Sequence, residues 1–375
     1  MPNSLQLLST VQSDGNLQLS LIDRPVPEPK GADDVVVQIE ATPLNPSDIA
    51  TLLALSDSSS ATLDESGDLP TMTAKIMEVA MPRFRTRIDK PMPVGNEAAG
   101  TVIAAGESDY AQSLIGKTVS FATGGNYAQH TMLNAMQCMP MADGVSARDA
   151  ASAFVNPLTA LGFVETMKSE GHKALINTAA ASNLGQMLNR IGQADGFDVV
   201  NVVRKQEQVD LLKNMGAKYI VNSSAGSFQD DLVDAISDTG ATIAFDALGG
   251  GDMADHLLTA MEKAASKDME HYDHYGSSVY KQLYNYGGLV LAPTPLTRSY
   301  GFAWGMGGWL LTNFLMKTDP QIVGKLRERV SKEIKTTFAT HYSHEISLRE
   351  ALQPEVVQQY AKQATGDKYL IRPQQ

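Results

Sequence analysis

The chain has 375 residues, 43% hydrophobic and 19% charged, which is the composition of an ordinary globular protein, and its length favours two domains over one core. Its net charge of −12 argues against nucleic acid or an anionic membrane surface as a main partner. The single cysteine, Cys138, excludes a disulfide framework and every thiolate-rich zinc site.

In chain order, residues 1–16 show no basic segment followed by an apolar one, so no secretory signal and a cytoplasmic location are expected. Residues 1–150 then carry short apolar runs, at 35–39, 100–105 and 118–121, separated by Gly, Pro and Asp. Runs of that kind suit a partly closed β-barrel. Residues 56–91 differ: they begin SDSSSATLDESGD and end in the basic PRFRTRIDKP. The stretch reads first as a solvated loop. The other reading is a lid or subunit-contact insertion whose Arg83, Arg85 and Arg87 meet an anionic group. From 151 the texture alternates helix and strand. Strands are predicted at 174–177, 198–203, 219–222, 241–245 and 289–292, and helices at 206–215 and 227–238. Such alternation implies a doubly wound parallel sheet, an α/β fold. No internal repeat recurs at a fixed period. Residues 301–316 are apolar but hold four glycines and are too short to span a membrane, so no membrane partner is expected.

Residues 173–205 carry the most chemistry. A buried strand leads into a turn of small residues at 178–185, a helix opens near Gly185, and a second buried strand ends on Arg204 and Lys205. This is the first half of a dinucleotide fold. Its turn keeps one glycine, Gly185, of the usual three, so the pattern alone is a weak fingerprint. The physics still works: alanines allow close backbone approach, asparagine tolerates positive φ, and a helix N-terminus offers N–H groups to a pyrophosphate. An acid at the second strand's tip would bond a ribose 2′-hydroxyl, whereas cations suit a 2′-phosphate. Two cations and no acid stand there, so the expected cofactor is NADPH.

Nine segments, in order, resemble the medium-chain dehydrogenase/reductase superfamily, and within it the zinc-free quinone oxidoreductase and enoyl-thioester reductase branch. They are Asn45-Pro46-Ser47-Asp48, the stretch PVGNEAAG at 93–100, Asn156-Pro157-Leu158-Thr159-Ala160, ASNLGQ at 181–186, Asn201-Val202-Val203-Arg204, FDALGG at 245–250, Tyr286-Gly287-Gly288, Gly301-Phe302 and Thr365-Gly366-Asp367-Lys368. The resemblance covers nearly the whole chain. It implies a GroES-like catalytic domain over 1–150 and 303–375 and a Rossmann NADP-binding domain over 151–302. It also implies hydride transfer from NADPH to a quinone or other electron-poor conjugated carbonyl, and a homodimer paired through the sheet edge at 289–292.

By the same resemblance, Asn45 and Asn156 hold the nicotinamide side with Thr159 beside it. Ser182, Asn183 and Leu184 face the pyrophosphate, Arg204 and Lys205 the 2′-phosphate, and Tyr286, Gly287 and Gly288 the nicotinamide ribose, while Lys368 returns to the cleft. The positions where the zinc-dependent branch places its ligands read as Asn45, Asn96 and Asn156, none a good zinc ligand. No metal is therefore expected, and alcohol oxidation is disfavoured. The tyrosine that enoyl-thioester reductases carry after their NPSD segment is missing from IATLLALSDSSS at 49–60. No catalytic acid is identified. Tyr127 reads as a barrel residue, the cluster His271, Tyr272, His274 and Tyr275 as an exposed insertion, and Trp304 and Trp309 equally as core or as walls of an acceptor pocket. Two alternatives stay open: an enoyl-thioester or 2-alkenal reductase, and a non-catalytic NADPH-binding protein.

Overall fold

The computed structural model describes residues 3–267, 269–364 and 366–375. The chain divides into two units, Met1–Val155 with Arg327–Gln375, and Asn156–Leu326. Among the described residues no helix is long and apolar enough to cross a membrane.

The first unit opens with β1 (Asn3–Val11), β2 (Asn16–Pro25), β3 (Asp34–Pro43), β4 (Thr62–Asp64), β5 (Thr71–Lys75), β6 (Met92–Pro93), β7 (Ala98–Ala105), β8 (Thr118–Phe121), β9 (His130–Asn134) and β10 (Met139–Pro140). One sheet runs β4-β5-β2-β1-β6; in the other, β3 carries β7, β8 and β10 in succession and also pairs with β9. Strand β3 reads as a continuous apolar run because it is enclosed in this way, and Val35, Val36, Val37 and Ile39 are fully buried. β7 passes so close to β3 that a Cβ at Gly100 would run into the Gln38 carbonyl.

Residues 56–91 are not a solvated loop. β4 and β5 extend the first sheet through β2, and Met72, Ala74 and Ala80 join its core. Its basic end does not converge on one anion site. Arg83 and Arg85 are exposed, whereas the guanidinium of Arg87 turns inward and donates to Ser9 Oγ at 2.6 Å.

The second unit is built on six parallel strands: β11 (Leu175–Thr178), β12 (Val199–Val203), β13 (Tyr219–Asn222), β14 (Ile243–Asp246), β15 (Lys281–Asn285) and β16 (Trp304–Gly308). They lie in the order β13-β12-β11-β14-β15-β16, which reverses direction beside β11 as a doubly wound Rossmann sheet does. Helices Phe228–Thr239 and Met253–Ser266 cover one face, over Ile176, Val200, Val202 and Leu283. The expected fold class is the one found, and four of the five predicted strands stand within about two residues of their expected bounds.

The fifth prediction fails. Residues 289–292 form no strand, and the place next to β14 belongs to Lys281–Asn285. Lys281 made that segment look like surface. It is fully buried, because Glu262 and Ser277 receive its ammonium group. β16 then adds a sixth strand beyond 302, so the sheet edge is β16. The ground given for a homodimer, an edge strand at 289–292, falls with that strand.

The chain re-enters the first unit at Arg327. There β17 (His344–Ile346) runs parallel to β18 (Tyr369–Ile371), and β18 lies antiparallel to the end of β3. The Leu370–Pro43 register brings Lys368 beside the segment that follows β3. Thr365, in the closing motif, lies outside the described residues.

Candidate active site

In the first unit a buried polar network forms where β3 ends. Helix Pro46–Leu53 follows β3 directly, with Asn45 as its N-cap and Asp48 at its third position. Asp48 accepts from Asn45 N at 2.9 Å and from Asn96 N at 2.7 Å, tying the helix start to the turn before β7. Glu97, fully buried, accepts from Asn45 Nδ2 at 2.8 Å, Phe154 N at 3.0 Å and Val155 N at 2.7 Å. The other side of the Asn45 amide, Oδ1, accepts from Lys368 Nζ at 3.1 Å. Asn45 is thus a bridge with a fixed orientation, its nitrogen toward the carboxylate and its oxygen toward the ammonium.

Burial dominates the electrostatics. It pushes Asp48 up to about 7 against the pull of the Asn45 and Asn96 amides. It also raises Glu97, which Lys368 and the amide donors pull back down. Lys368 is lowered to about 8 by burial, with Glu97 and Asp48 opposing that shift. Tyr127 is fully buried and its hydroxyl donates to Pro43 O at 3.1 Å, which makes it a packing residue of this core.

In the second unit, four chain segments leave the carboxyl ends of the parallel strands along one edge. After β11 the chain turns at Ala179, whose φ of 51° is unusual for a residue with a Cβ. Ser182 then caps helix Asn183–Asp195, its Oγ accepting from Gly185 N at 3.2 Å. A Cβ at Gly185 would strike the Ala180 carbonyl, so the single retained glycine is the one that close packing of turn and helix demands. Leu184 is buried, while Ser182 and Asn183 are partly open. The turn is braced from β14: Thr178 Oγ1 donates to Asp246 Oδ1 at 2.6 Å and accepts from Ala247 N at 2.8 Å.

After β12, Arg204 and Lys205 are exposed, and Gln208 Oε1 accepts from both of their backbone N–H groups, at 3.1 and 3.3 Å. Neither side chain joins an ion pair among the described residues. After β15, Tyr286 N donates to Asp246 O at 3.0 Å, and its ring lies edge-on to Phe163. Burial raises the Tyr286 hydroxyl well above its usual range. Gly287 packs its backbone against Ala247, with Gly288 open beyond it. Asn156 and Thr159 lie in the first turns of helix Val155–Ser169, Thr159 buried and Asn156 partly so.

Of the expected site residues, Asn45 and Lys368 therefore meet in the first unit. Ser182, Asn183, Arg204, Lys205, Tyr286, Gly287 and Gly288 line the strand ends of the second. Glu97 and Asp48 were missed as site groups. The signal was available: a lone carboxylate inside VGNEAAGTV, at a strand start, must be buried and therefore paired.

The remaining candidates resolve into packing or surface. Trp309 is buried against Phe163 and Phe314, with its indole N–H donated to Thr166 Oγ1 at 3.1 Å. Trp304 packs edge-on to Tyr300. His271, Tyr272, His274 and Tyr275 are exposed. Asn96 Nδ2 donates to Ser47 Oγ at 3.0 Å. Among the described residues no three His, Cys, Asp or Glu side chains converge as a metal site would require.

A family model described as zinc-binding dehydrogenase matches residues 183–266, within the second unit. Prostaglandin reductase-3 of Mus musculus is 25% identical over 170 residues, 45% of this chain and 44% of that protein. A Leishmania amazonensis protein named as a quinone oxidoreductase is 28% identical over 172 residues, 44% of this chain and 47% of its own length. The chain thus spans less than half the length of these curated relatives. A Mesorhizobium loti protein described as an NADPH:quinone reductase superposes over 100% of this chain and 99% of its own, with a TM-score of 0.74 at 24% identity, a likeness of fold. The Rossmann strand order and these matches together support a place in the medium-chain dehydrogenase/reductase superfamily, near its zinc-free quinone and enoyl reductase branch.

Proposed function

We propose that the protein is a zinc-independent, NADPH-dependent reductase that delivers hydride to a quinone or another electron-poor conjugated carbonyl. The observation that carries this reading is the tip of β12, where Arg204 and Lys205 stand exposed and, among the described residues, join no ion pair. A 2′-phosphate would supply the missing countercharge. The residues fit the cofactor. Backbone meets backbone at Gly287 and Ala247, the Ala179–Ser182 turn is small, and the helix it opens presents N–H groups to a pyrophosphate.

When bound, NADPH supplies the hydride. This chain's part is to bind it, orient the acceptor and manage the proton. Asn45 is committed to Glu97 and Lys368, and Asn96 to Ser47, so neither amide replaces a metal ligand. That favours acceptors already polarised by conjugation over alcohols, which need a Lewis acid.

The test is NADPH oxidation with 1,4-benzoquinone, a simple enone and crotonyl thioesters in parallel. Turnover with the first two and not the third is expected. Thioester turnover instead would mark an enoyl reductase, and binding without oxidation by any of them a non-catalytic protein. A second measurement addresses the cofactor. Arg204→Ala should weaken NADPH by about 1.5–3 kcal/mol, the worth of a charge-assisted hydrogen bond, which is about 10- to 150-fold in Kd. NADH affinity should stay unchanged, and equal loss for both cofactors rejects the role.

A further inference from the structure

We propose that Gln208 and Ser224 set the cofactor preference of this protein: they clamp the backbone at the tip of β12, so that the side chains of Arg204 and Lys205 are held for one doubly charged group, a 2′-phosphate. The inference rests on the NADPH reading above, supplies the positioning residues that this reading lacks, and concerns the second unit alone.

All four backbone polar groups of the two cations are engaged. Gln208 Oε1 accepts from Arg204 N at 3.1 Å and from Lys205 N at 3.3 Å. Ser224 Oγ donates to Arg204 O at 2.9 Å, and Gln208 N donates to Lys205 O at 3.1 Å. Ser224 is itself fixed, since its N donates at 3.0 Å to Oδ1 of Asn222, the last residue of β13. One residue earlier, Ser223 N donates to Val203 O at 2.7 Å, so the loops after β12 and β13 are sewn together. Ser223 also lines a cavity of about 280 Å3 with Phe228, Leu248, Met253 and His256, so the clamped tip borders space that a ligand can enter.

The hydrogen bonds from Gln208 and Ser224 lie at the surface, and water could replace either side chain at little cost to stability. Water cannot replace direction. Arg and Lys side chains lose rotamer freedom when they close on a phosphate, and a root that also moves adds to that loss. Here the roots are fixed, while the ends are exposed and, among the described residues, join no ion pair.

The clamp is also neutral. Gln208 is the third residue of helix Gln206–Asn214, whose N-cap is Lys205, and its side chain reaches back to the N-cap backbone. Glutamate serves that position as readily as glutamine. A glutamate would press a carboxylate against the N–H groups behind both cations and oppose a phosphate bound in front of them. The other acids early in this helix, Glu207 and Asp210, are exposed, and Asp210 Oδ1 accepts from Gln206 Nε2 at 2.8 Å.

The experiment titrates the intact protein by calorimetry with adenosine 2′,5′-bisphosphate and with 5′-AMP, which differ only in the 2′-phosphate, and follows urea denaturation of every variant. Gln208→Met and Ser224→Ala should each raise the bisphosphate Kd about 3- to 10-fold, the reach of one modest hydrogen bond, and leave the 5′-AMP Kd within about twofold. Ser224→Thr keeps the hydroxyl and should match wild type. Gln208→Glu keeps an acceptor yet should weaken the bisphosphate about 10-fold, with the loss shrinking as salt is added. In an Arg204→Ala/Lys205→Ala background, Gln208→Met should have no further effect, because its action passes through those cations. Equal losses for the two probes, or an undiminished loss in the background without the cations, overturn the proposal. So does a change confined to urea stability, which would make Gln208 and Ser224 helix and loop caps only. Wild type that binds the two probes alike sinks the NADPH reading and the clamp with it. Wild type that prefers the bisphosphate, with Gln208→Met and Ser224→Ala unaffected, sinks the clamp alone.

Discussion

Glu97→Ala is expected to destabilise the first unit by about 3–5 kcal/mol, the range for removing one member of a buried, hydrogen-bonded charge network. The carboxylate satisfies three donors, Asn45 Nδ2, Phe154 N and Val155 N. Each buried donor left without an acceptor costs about 1–3 kcal/mol. Lys368 would also lose the larger of the two negative charges that oppose its discharge. Glu97→Gln keeps the shape and one acceptor oxygen, so it should cost less, about 1–3 kcal/mol, while turning an NH2 group toward N–H donors. Chemical denaturation at pH 7 measures both; a loss under about 1 kcal/mol for alanine would show the network to be ornamental.

The pH dependence has a definite sign. Burial raises Glu97 in the folded state, so the folded protein binds the proton more tightly than the unfolded chain. The stability linked to this proton is full below the ordinary carboxylate pKa and is lost as pH rises through the raised value. In Glu97→Gln that slope should be gone.

The fold was largely legible because period and punctuation agree over most of the chain. Val199–Val203 is four valines around Asn201, ended by two cations, and it is a fully buried strand with those cations exposed at its tip. Asn183–Asp195 starts at a serine and stops at Gly196, with φ of 78°, as capping chemistry predicts. What misled was polarity taken at face value. Thr71–Lys75 was hidden by the polar run before it, though its alternate residues Met72 and Ala74 point to the core. Residues 289–292 look more like a strand than Lys281–Asn285 does, yet the apolar segment is a loop and the one that starts with lysine is in the sheet. The site shows the same bias. Asn45 and Lys368 could be picked out by resemblance, but the carboxylate that orients Asn45 lies 52 residues further on in sequence. Pairing at that separation is written in the fold and in no local pattern.

Lys281 is where this bias can be tested most sharply. Lys281→Met should destabilise the second unit by about 3–5 kcal/mol, although methionine suits a buried strand position better than lysine by any hydropathy measure. The reason lies with what remains. Glu262 is buried and lowered below its usual range, burial opposing and Lys281 and Ser277 favouring its charge. Without Lys281, the hydrogen-bond donors left to that carboxylate among the described residues would be Ser277 N at 2.7 Å, Ser277 Oγ at 2.7 Å and Ser266 Oγ at 3.1 Å. Pairing Lys281→Met with Glu262→Gln removes both charges and leaves an amide that can still accept from Ser277 N. The double variant should recover most of the loss, giving a coupling energy of about 2 kcal/mol or more in a double-mutant cycle. Additive losses would mean that the two side chains act separately and that β15 is held by its apolar contacts alone. Lys281 also anchors the segment before β15, since its ammonium donates to Val279 O at 2.8 Å. In Lys281→Met, and equally in Lys281→Met/Glu262→Gln, the segment before β15 should therefore become cleavable by protease under conditions where wild type resists.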